Sequence, residues 1–279
     1  MTILQLDQVT ARIHDLPSLP AIVVELLESV DQQDVNNETL ASKISCDQAL
    51  AAKTLRLANS SFYGLQGKVT SIQSALTVLG FRSVRTLVMA VGITSQFTHT
   101  AGSAFDFQSF WRHCIGTALA AKALARHVNA SEEGAFTAGL LHDIGRLVLV
   151  TRFPEHYGEV LAYRAQHDCY LLIAEREILG LDHAMVGHAL GQYWKFSPTI
   201  LAAIAAHHAP EGKDPACLAG VVNIADAIAY ALDLSGDEND LVPPLSSEVW
   251  AHLGLTRESC VQVFQETESQ FESICQILV

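Results

Sequence analysis

The sequence predicts an all-α fold, laid out as a two-lobed helical bundle. Three observations carry this. Ala, Leu and Ile recur at three- and four-residue spacing along nearly the whole chain, period-two alternation is scarce, and capping residues precede the apolar-periodic segments. With 49% hydrophobic residues among 279, the chain has material for a substantial core.

The elements follow in order. Leu16-Pro17-Ser18-Leu19-Pro20 is a stiff approach to a helix running to about Val30, with Pro20 suited to its first turn. Asn36-Asn37-Glu38 precedes the apolar positions Leu40, Ile44 and Leu50. Asp47 reads as the N-cap of a helix over residues 48–57. Asn59-Ser60-Ser61-Phe62-Tyr63-Gly64 breaks the pattern, either as a capped helix junction or as a polar turn lining a cleft. Ser71 caps a helix over 72–79 that Gly80 stops, and a further apolar helix covers 83–97. Residues 98–107 are polar, with Gly102 and Ser103 inside, and mark the boundary between a lobe at 1–100 and one at 101–279. The second lobe is expected to carry helices over 108–128, 132–150, 154–167, 170–179, 183–194, 198–208 and 217–232. The acidic stretch 235–240 reads as a solvated loop, and two helices within 246–278 close the chain.

The formal net charge of −13 disfavours a general grip on nucleic acid, because that needs a basic surface to neutralise phosphates. Arg82 with Arg85, or Arg146 with Arg152, could each form a local basic pocket, although a solvated Arg pair is the plainer reading of the first. Six scattered cysteines without a Cys-x-x-Cys pair argue against a zinc ribbon, an iron–sulfur site and a disulfide framework. They read as reduced thiols, mostly in the core, of a cytoplasmic protein. The N-terminus lacks the charged start and apolar run of a signal peptide, and no stretch reaches the ~18 uninterrupted apolar residues of a membrane span.

Polar groups stand where the periodicity predicts burial. His142 and Asp143 lie side by side in Ala-Gly-Leu-Leu-His-Asp-Ile-Gly-Arg-Leu-Val-Leu. An imidazole and a carboxylate in such a run are costly to desolvate unless they are paired or bound to a metal. His113, His183, His207-His208 and Asp226 repeat the anomaly on other apolar segments. Each has a plain alternative. His113 fits a core histidine, His142-Asp143 a hydrogen-bonded core pair, His207-His208 a helix C-terminus, and Asp226 a partner of Asn223 one turn earlier. Together, imidazoles and carboxylates from separate helices of a bundle also describe a metal site.

The order His113, His142-Asp143, Asp226 resembles the ligand series of the HD superfamily of metal-dependent phosphohydrolases. His183, His207 and His208 resemble the extra ligands of its HD-GYP branch. Leu55-Arg56-Leu57-Ala58-Asn59-Ser60-Ser61-Phe62-Tyr63, Ile72-Gln73-Ser74-Ala75-Leu76-Thr77-Val78-Leu79-Gly80-Phe81 and Asp182-His183-Ala184-x-x-Gly187 resemble the HDOD family, the HD-related output domains of bacterial signalling proteins. The Leu-Pro-x-Leu-Pro run fits it as well. The similarity spans roughly residues 12 to 232. It implies an N-terminal HDOD helical lobe followed by an HD-type helical lobe. It also implies a divalent metal site of iron, manganese, zinc or nickel, which the HD-GYP branch fills with two or three ions and which could be dinuclear here. Asp143 would bridge, with His113, His142 and Asp226 on one ion and His183, His207 and His208 on the other. HDOD proteins often lose these ligands and act as regulatory modules, which implies a signalling partner protein or a nucleotide ligand. This chain keeps every position.

Two departures qualify a catalytic reading, in which Asp143 and Arg146 would be the catalytic residues. Ala209-Pro210-Glu211-Gly212-Lys213 stands where HD-GYP proteins carry Gly-Tyr-Pro, which weakens the match to phosphodiesterases of cyclic dinucleotides. Arg146 stands where many HD enzymes carry Lys; it could clamp a phosphate bidentately but is no neutral swap. The expectation is a metal-binding signalling module, with hydrolysis of a phosphoester or nucleotide as the alternative.

Overall fold

The computed structural model describes residues 3–16, 19–28, 37–60, 63, 68–95, 97, 105–211 and 217–279. Among these, every regular element is helical. Pro17, Ser18, Val30, Asn36, Ser61, Phe62, Gly64 and residues 98–104 and 212–216, which carry several of the expected features, lie outside the described residues.

The chain opens with α1 (Leu6–Ile13), an element that the periodicity argument does not supply. It is a short amphipathic turn pair that buries Val9 and Ile13, one helical repeat apart. It packs on helices from the far half of the sequence, and the Leu4 N–H donates to the Leu179 carbonyl. Helices α2 (Ala21–Glu28), α3 (Asn37–Ser45) and α4 (Gln48–Ala58) pack with α5 (Ile72–Thr94). Asp47 caps α4 by accepting from the Leu50 N–H at 3.0 Å. The Asn59 side chain bonds the Leu55 and Val69 carbonyls and accepts from the Val69 N–H, so it ties the following turn to α4.

α5 is two helical pieces joined at Gly80, whose φ of 79° and ψ of 164° leave the helical region. The second piece is buried along nearly its whole length. α5 is long and apolar enough to span a membrane by composition, but most of it is sheathed by protein here. Arg85 is a correction to the solvated pair: it is 3% exposed with its guanidinium 5.6 Å from the Phe81 ring, while Arg82 is exposed. Its position among Val84, Thr86 and Leu87 on the buried piece explains the difference.

The second set begins with α6 (Phe107–His127), capped by Asp106. The single helix expected over 132–150 is instead α7 (Glu132–Leu141) and α8 (Ile144–Arg152), broken at His142 and Asp143. α9 (Pro154–His167), α10 (Leu171–Leu179), α11 (His183–Tyr193), α12 (Pro198–Ala206) and α13 (Leu218–Ala231) follow. α14 (Ser247–Leu253) and the long α15 (Arg257–Leu278) end the chain. α15 lies along α6 and also touches α4 and α5, so it ties the two sets together. Buried apolar side chains from both sets form one contiguous core. The cysteines need a second correction: all six are unpaired, but only Cys114 and Cys275 are buried.

Candidate metal centre

Two helix interiors and three helix ends build the site. His113 stands on α6 and Asp226 on α13. His142 and Asp143 sit in the break between α7 and α8. Successive residues on a continuous helix point about 100° apart; the break lets both side chains face one centre. His183 is the first residue of α11, whose cap Asp182 accepts from the Met185 N–H at 2.9 Å. His207 and His208 follow the last turn of α12. Asn223 bonds the His207 carbonyl at 2.8 Å, so it serves that turn and is not the partner of Asp226.

The seven side chains converge in two groups. His113, His142 and Asp226 form one, and Asp143, His183, His207 and His208 the other, with the ligand atoms of each group within 4.8 Å of one another. In the first, Asp226 Oδ1 is 2.9 Å from His113 Nε2 and 3.5 Å from His142 Nε2. In the second, Asp143 Oδ1 is 3.0 Å from His183 Nε2 and 3.6 Å from His207 Nε2. The same oxygen lies 3.5 Å from His142 Nε2, so Asp143 joins the groups. His188 belongs to neither.

Three of the five imidazoles are held from behind, while His113 Nδ1 is buried without a partner. Nδ1 of His142 donates to the Gly139 carbonyl at 2.7 Å, and Nδ1 of His207 to the Ile204 carbonyl at 2.8 Å. His183 Nδ1 donates to the Glu175 carboxylate at 2.6 Å. These acceptors can only accept, so Nδ1 carries a proton and Nε2 is the ring atom turned inward, the arrangement that orients metal-ligating histidines. Glu175 was not among the expected residues. It is fully buried, takes the His183 backbone N–H as well, and accepts from the Tyr157 hydroxyl. Arg146 donates to Tyr157 and to Asp143 Oδ2, which closes a buried ring of Asp143, His183, Glu175, Tyr157 and Arg146. The signal for Glu175 was present: an acidic residue ending the apolar run Leu171-Leu172-Ile173-Ala174.

Electrostatics favour a cation. Of the three buried carboxylates Asp143, Glu175 and Asp226, only Asp143 is paired with a guanidinium, that of Arg146. Burial opposes ionisation of Asp143 and Asp226, yet the surrounding imidazoles outweigh it and hold both carboxyls well below the usual carboxylate range. For His142 and His183, burial again opposes charge, but the neighbouring carboxylates win and raise both. Burial and the neighbouring imidazoles push His208 down to about 2, so it stays neutral. Asp226 Oδ1 and His207 Nε2 are buried without a hydrogen-bond partner. Orphaned buried acceptors aimed at shared space, in a set of imidazole and carboxylate donors, fit a divalent ion of the zinc, iron, manganese or nickel kind.

Arg146 is placed as a positioning group. Its guanidinium is shared between Asp143 and Tyr157 and lies 5.5 Å and 5.3 Å from the Phe105 and Phe110 rings. Arg152 bonds the Asp15 carbonyl, so the two arginines form no common pocket.

The chain is similar to several known proteins. An uncharacterized protein of Treponema pallidum is 27% identical over 210 residues, which cover 73% of this chain and 40% of that protein. The chain thus spans less than half the length of that relative. A Shewanella amazonensis crystal structure, described provisionally as a phosphohydrolase, superposes with a TM-score of 0.77 at 28% identity, covering 97% of this chain and 98% of that one. An HDOD domain protein of unknown function from Geobacter sulfurreducens shares the fold with a TM-score of 0.81 at 23% identity, with 98% of each chain covered. The HDOD domain pattern matches residues 16–210, a stretch that holds every residue of the two groups except Asp226. The chain belongs to the HDOD domain family.

Proposed function

We propose that this protein is a metal-binding regulatory HDOD module, in which a dinuclear divalent centre organises the second set of helices for a partner protein or a small ligand. His113, His142 and Asp226 would hold one ion, His183, His207 and His208 the other, and Asp143 would bridge them. One observation carries the reading. The inward-facing donors form a full set, while each arginine beside them is tied to a carboxylate: Arg146 to Asp143, with Tyr157 as well, and Arg164 to Asp237 and Asp240. A phosphate would have to compete with those carboxylates for either guanidinium. The free thiols support a cytoplasmic setting.

Hydrolysis of a small phosphoester is the second reading, favoured by the contact of the two groups at Asp143 Oδ1 and by the likeness to the Shewanella protein. Ions bound there would supply a Lewis acid and a hydroxide source at neutral pH. This chain's own residues would set the geometry: Glu175 and the Gly139 and Ile204 carbonyls aim the imidazoles, and Arg146 fixes the free rotation of Asp143.

Elemental analysis of protein purified without chelator tests the shared premise, and p-nitrophenyl phosphate separates the readings. We expect near-stoichiometric metal, lost on Asp143→Ala, with negligible turnover. Turnover at enzymatic rates that Asp143→Ala abolishes would replace the regulatory reading with the hydrolytic one. Absence of metal even after reconstitution would remove both.

A further inference from the structure

A cavity of about 230 Å³ opens onto the centre, and its two ends differ sharply in chemistry. The floor is Asp143, Asp226, His183 and His208. The walls are Leu171, Leu172 and Ile173 from the first turn of α10, facing Leu241, Pro243 and Pro244 from the strap between α13 and α14. None of these six wall residues is buried, and Ile173 is 46% exposed. Three consecutive apolar residues, two half-buried and one exposed, thus stand over a polar floor.

The walls are preformed. Two prolines stiffen the strap, the Tyr170 hydroxyl donates to the Val242 carbonyl at 3.3 Å, and Arg164 clamps the strap's acidic end through Asp240 at 2.9 Å. That clamp also turns the Nη atoms of Arg164, the one Lys or Arg side chain lining the cavity among the described residues, toward Asp237 and Asp240. The volume lies below the roughly 300–1,000 Å³ of pockets that enclose drug-sized ligands.

We propose that this cavity binds a small amphiphile, with an anionic oxygen head on the Asp143 floor and a hydrocarbon body of a few carbons between α10 and the Leu241–Pro244 wall, and that it does not take a nucleotide. The head's grip rests on the metal reading above; the body's grip rests on the walls alone. A nucleotide would bring a ribose and further phosphates to walls that are mostly apolar, where Tyr170 and Asn223 already donate to the Val242 and His207 carbonyls, and unpaired polar groups are costly to desolvate. A hydrocarbon body covers exposed leucine, isoleucine and proline surface instead.

Ligand-observed NMR titrations test this, with acetate, propionate and butyrate on zinc-loaded protein and the matching alcohols on chelator-treated protein, and with AMP and cyclic di-GMP as competitors. We expect affinity to rise about fourfold with each methylene, the factor that burial of one such group supplies. The slope should appear with these acids in zinc-loaded protein, and with ethanol, propanol and butanol in chelator-treated protein, whose bare Asp143 and Asp226 carboxylates repel an anionic head. Leu172→Asn and Leu241→Asn should each flatten the slope while metal content stays unchanged. A flat series, or a nucleotide that displaces butyrate at lower concentration than butyrate itself needs, overturns the proposal. Failure of zinc to load would overturn the metal reading alone, because the slope in chelator-treated protein still decides the wall chemistry.

Discussion

Glu175 shows how the centre depends on residues that would touch no metal. Its carboxylate accepts from the His183 ring and backbone and from Tyr157, all out of solvent. Glu175→Gln keeps the shape and removes the charge that makes His183 a better donor. Outer partners of this kind are worth 10–100-fold in metal affinity. We expect a loss of about tenfold at the site that includes His183, and little change at the His113, His142 and Asp226 site, in a chelator-competition titration. Equal loss at both sites would show that the ring of hydrogen bonds does not act locally. Asp182 is a second positioning residue. Burial raises its carboxyl, but the Met185 N–H, His183 and Arg176 together bring it below its ordinary value. A carboxyl depressed on folding stabilises above its unfolded pKa and loses that contribution as pH falls through the lower folded value. Asp182→Ala should therefore cost about 1 kcal/mol at neutral pH, and the difference from wild type should shrink below pH ~3.9. Urea unfolding at pH 7, 5 and 3 checks this; a gap that widens in acid would contradict it.

At the scale of elements, glycines decide which helices meet. A Cβ on Gly145 would stand 2.0 Å from the His183 carbonyl oxygen and 2.5 Å from the Gly187 nitrogen. These are backbone atoms of α11, which cannot give way as a side chain tip can. The contact of α8 with α11 at this point brings Asp143 against His183. Gly139 does the same for α7 on α6, where a Cβ would lie 2.8 Å from the Ala118 Cα, and so sets His142 beside His113. Gly145→Ala should destabilise the protein by about 2–3 kcal/mol through overpacking and lower metal content as well. Differential scanning calorimetry and elemental analysis read the two effects; a variant with unchanged metal content would mean that the crossing can slide without disturbing the ligands. Helices with strong caps were legible from sequence: Asp47, Ser71 and the Gly80 stop all stand as the pattern implies. The break at His142 was not, because Leu140, Leu141, Ile144 and Leu147 keep helical periodicity straight across it. Local propensity has no term for a carboxylate drawn to imidazoles on three other helices.

For the whole molecule, the centre links α6, α8, α11, α12 and α13, so metal binding and folding should be coupled. Ligand that binds only the native state at a hundredfold excess over its Kd stabilises by about 2.7 kcal/mol. For a chain of this size that corresponds to a rise in Tm of about 5 °C. Thermal melts of chelator-treated protein with and without zinc check it; identical Tm values would mean that metal does not bind the native state. The acidic charge of the chain is spread differently from the site's charge. Arg112 and Arg126 pair with Glu272 and Glu266 on α15, and these partly exposed pairs fix the orientation of α15 on α6 more than they stabilise it.

The sequence by itself determined the helical class, most helix starts, and the set of polar residues that burial makes anomalous, because caps, periodicity and the cost of burying charge are properties of short segments. Tertiary structure alone decided how those residues meet. It split the helix at His142-Asp143, tied Arg146 to Asp143 and Tyr157, recruited Glu175, and placed α1 on helices 130 and more residues away. It also put an apolar-walled cavity over the histidines. These outcomes depend on close approach between distant segments, at Gly145 and Gly139 above all, and no local pattern records which backbones will touch.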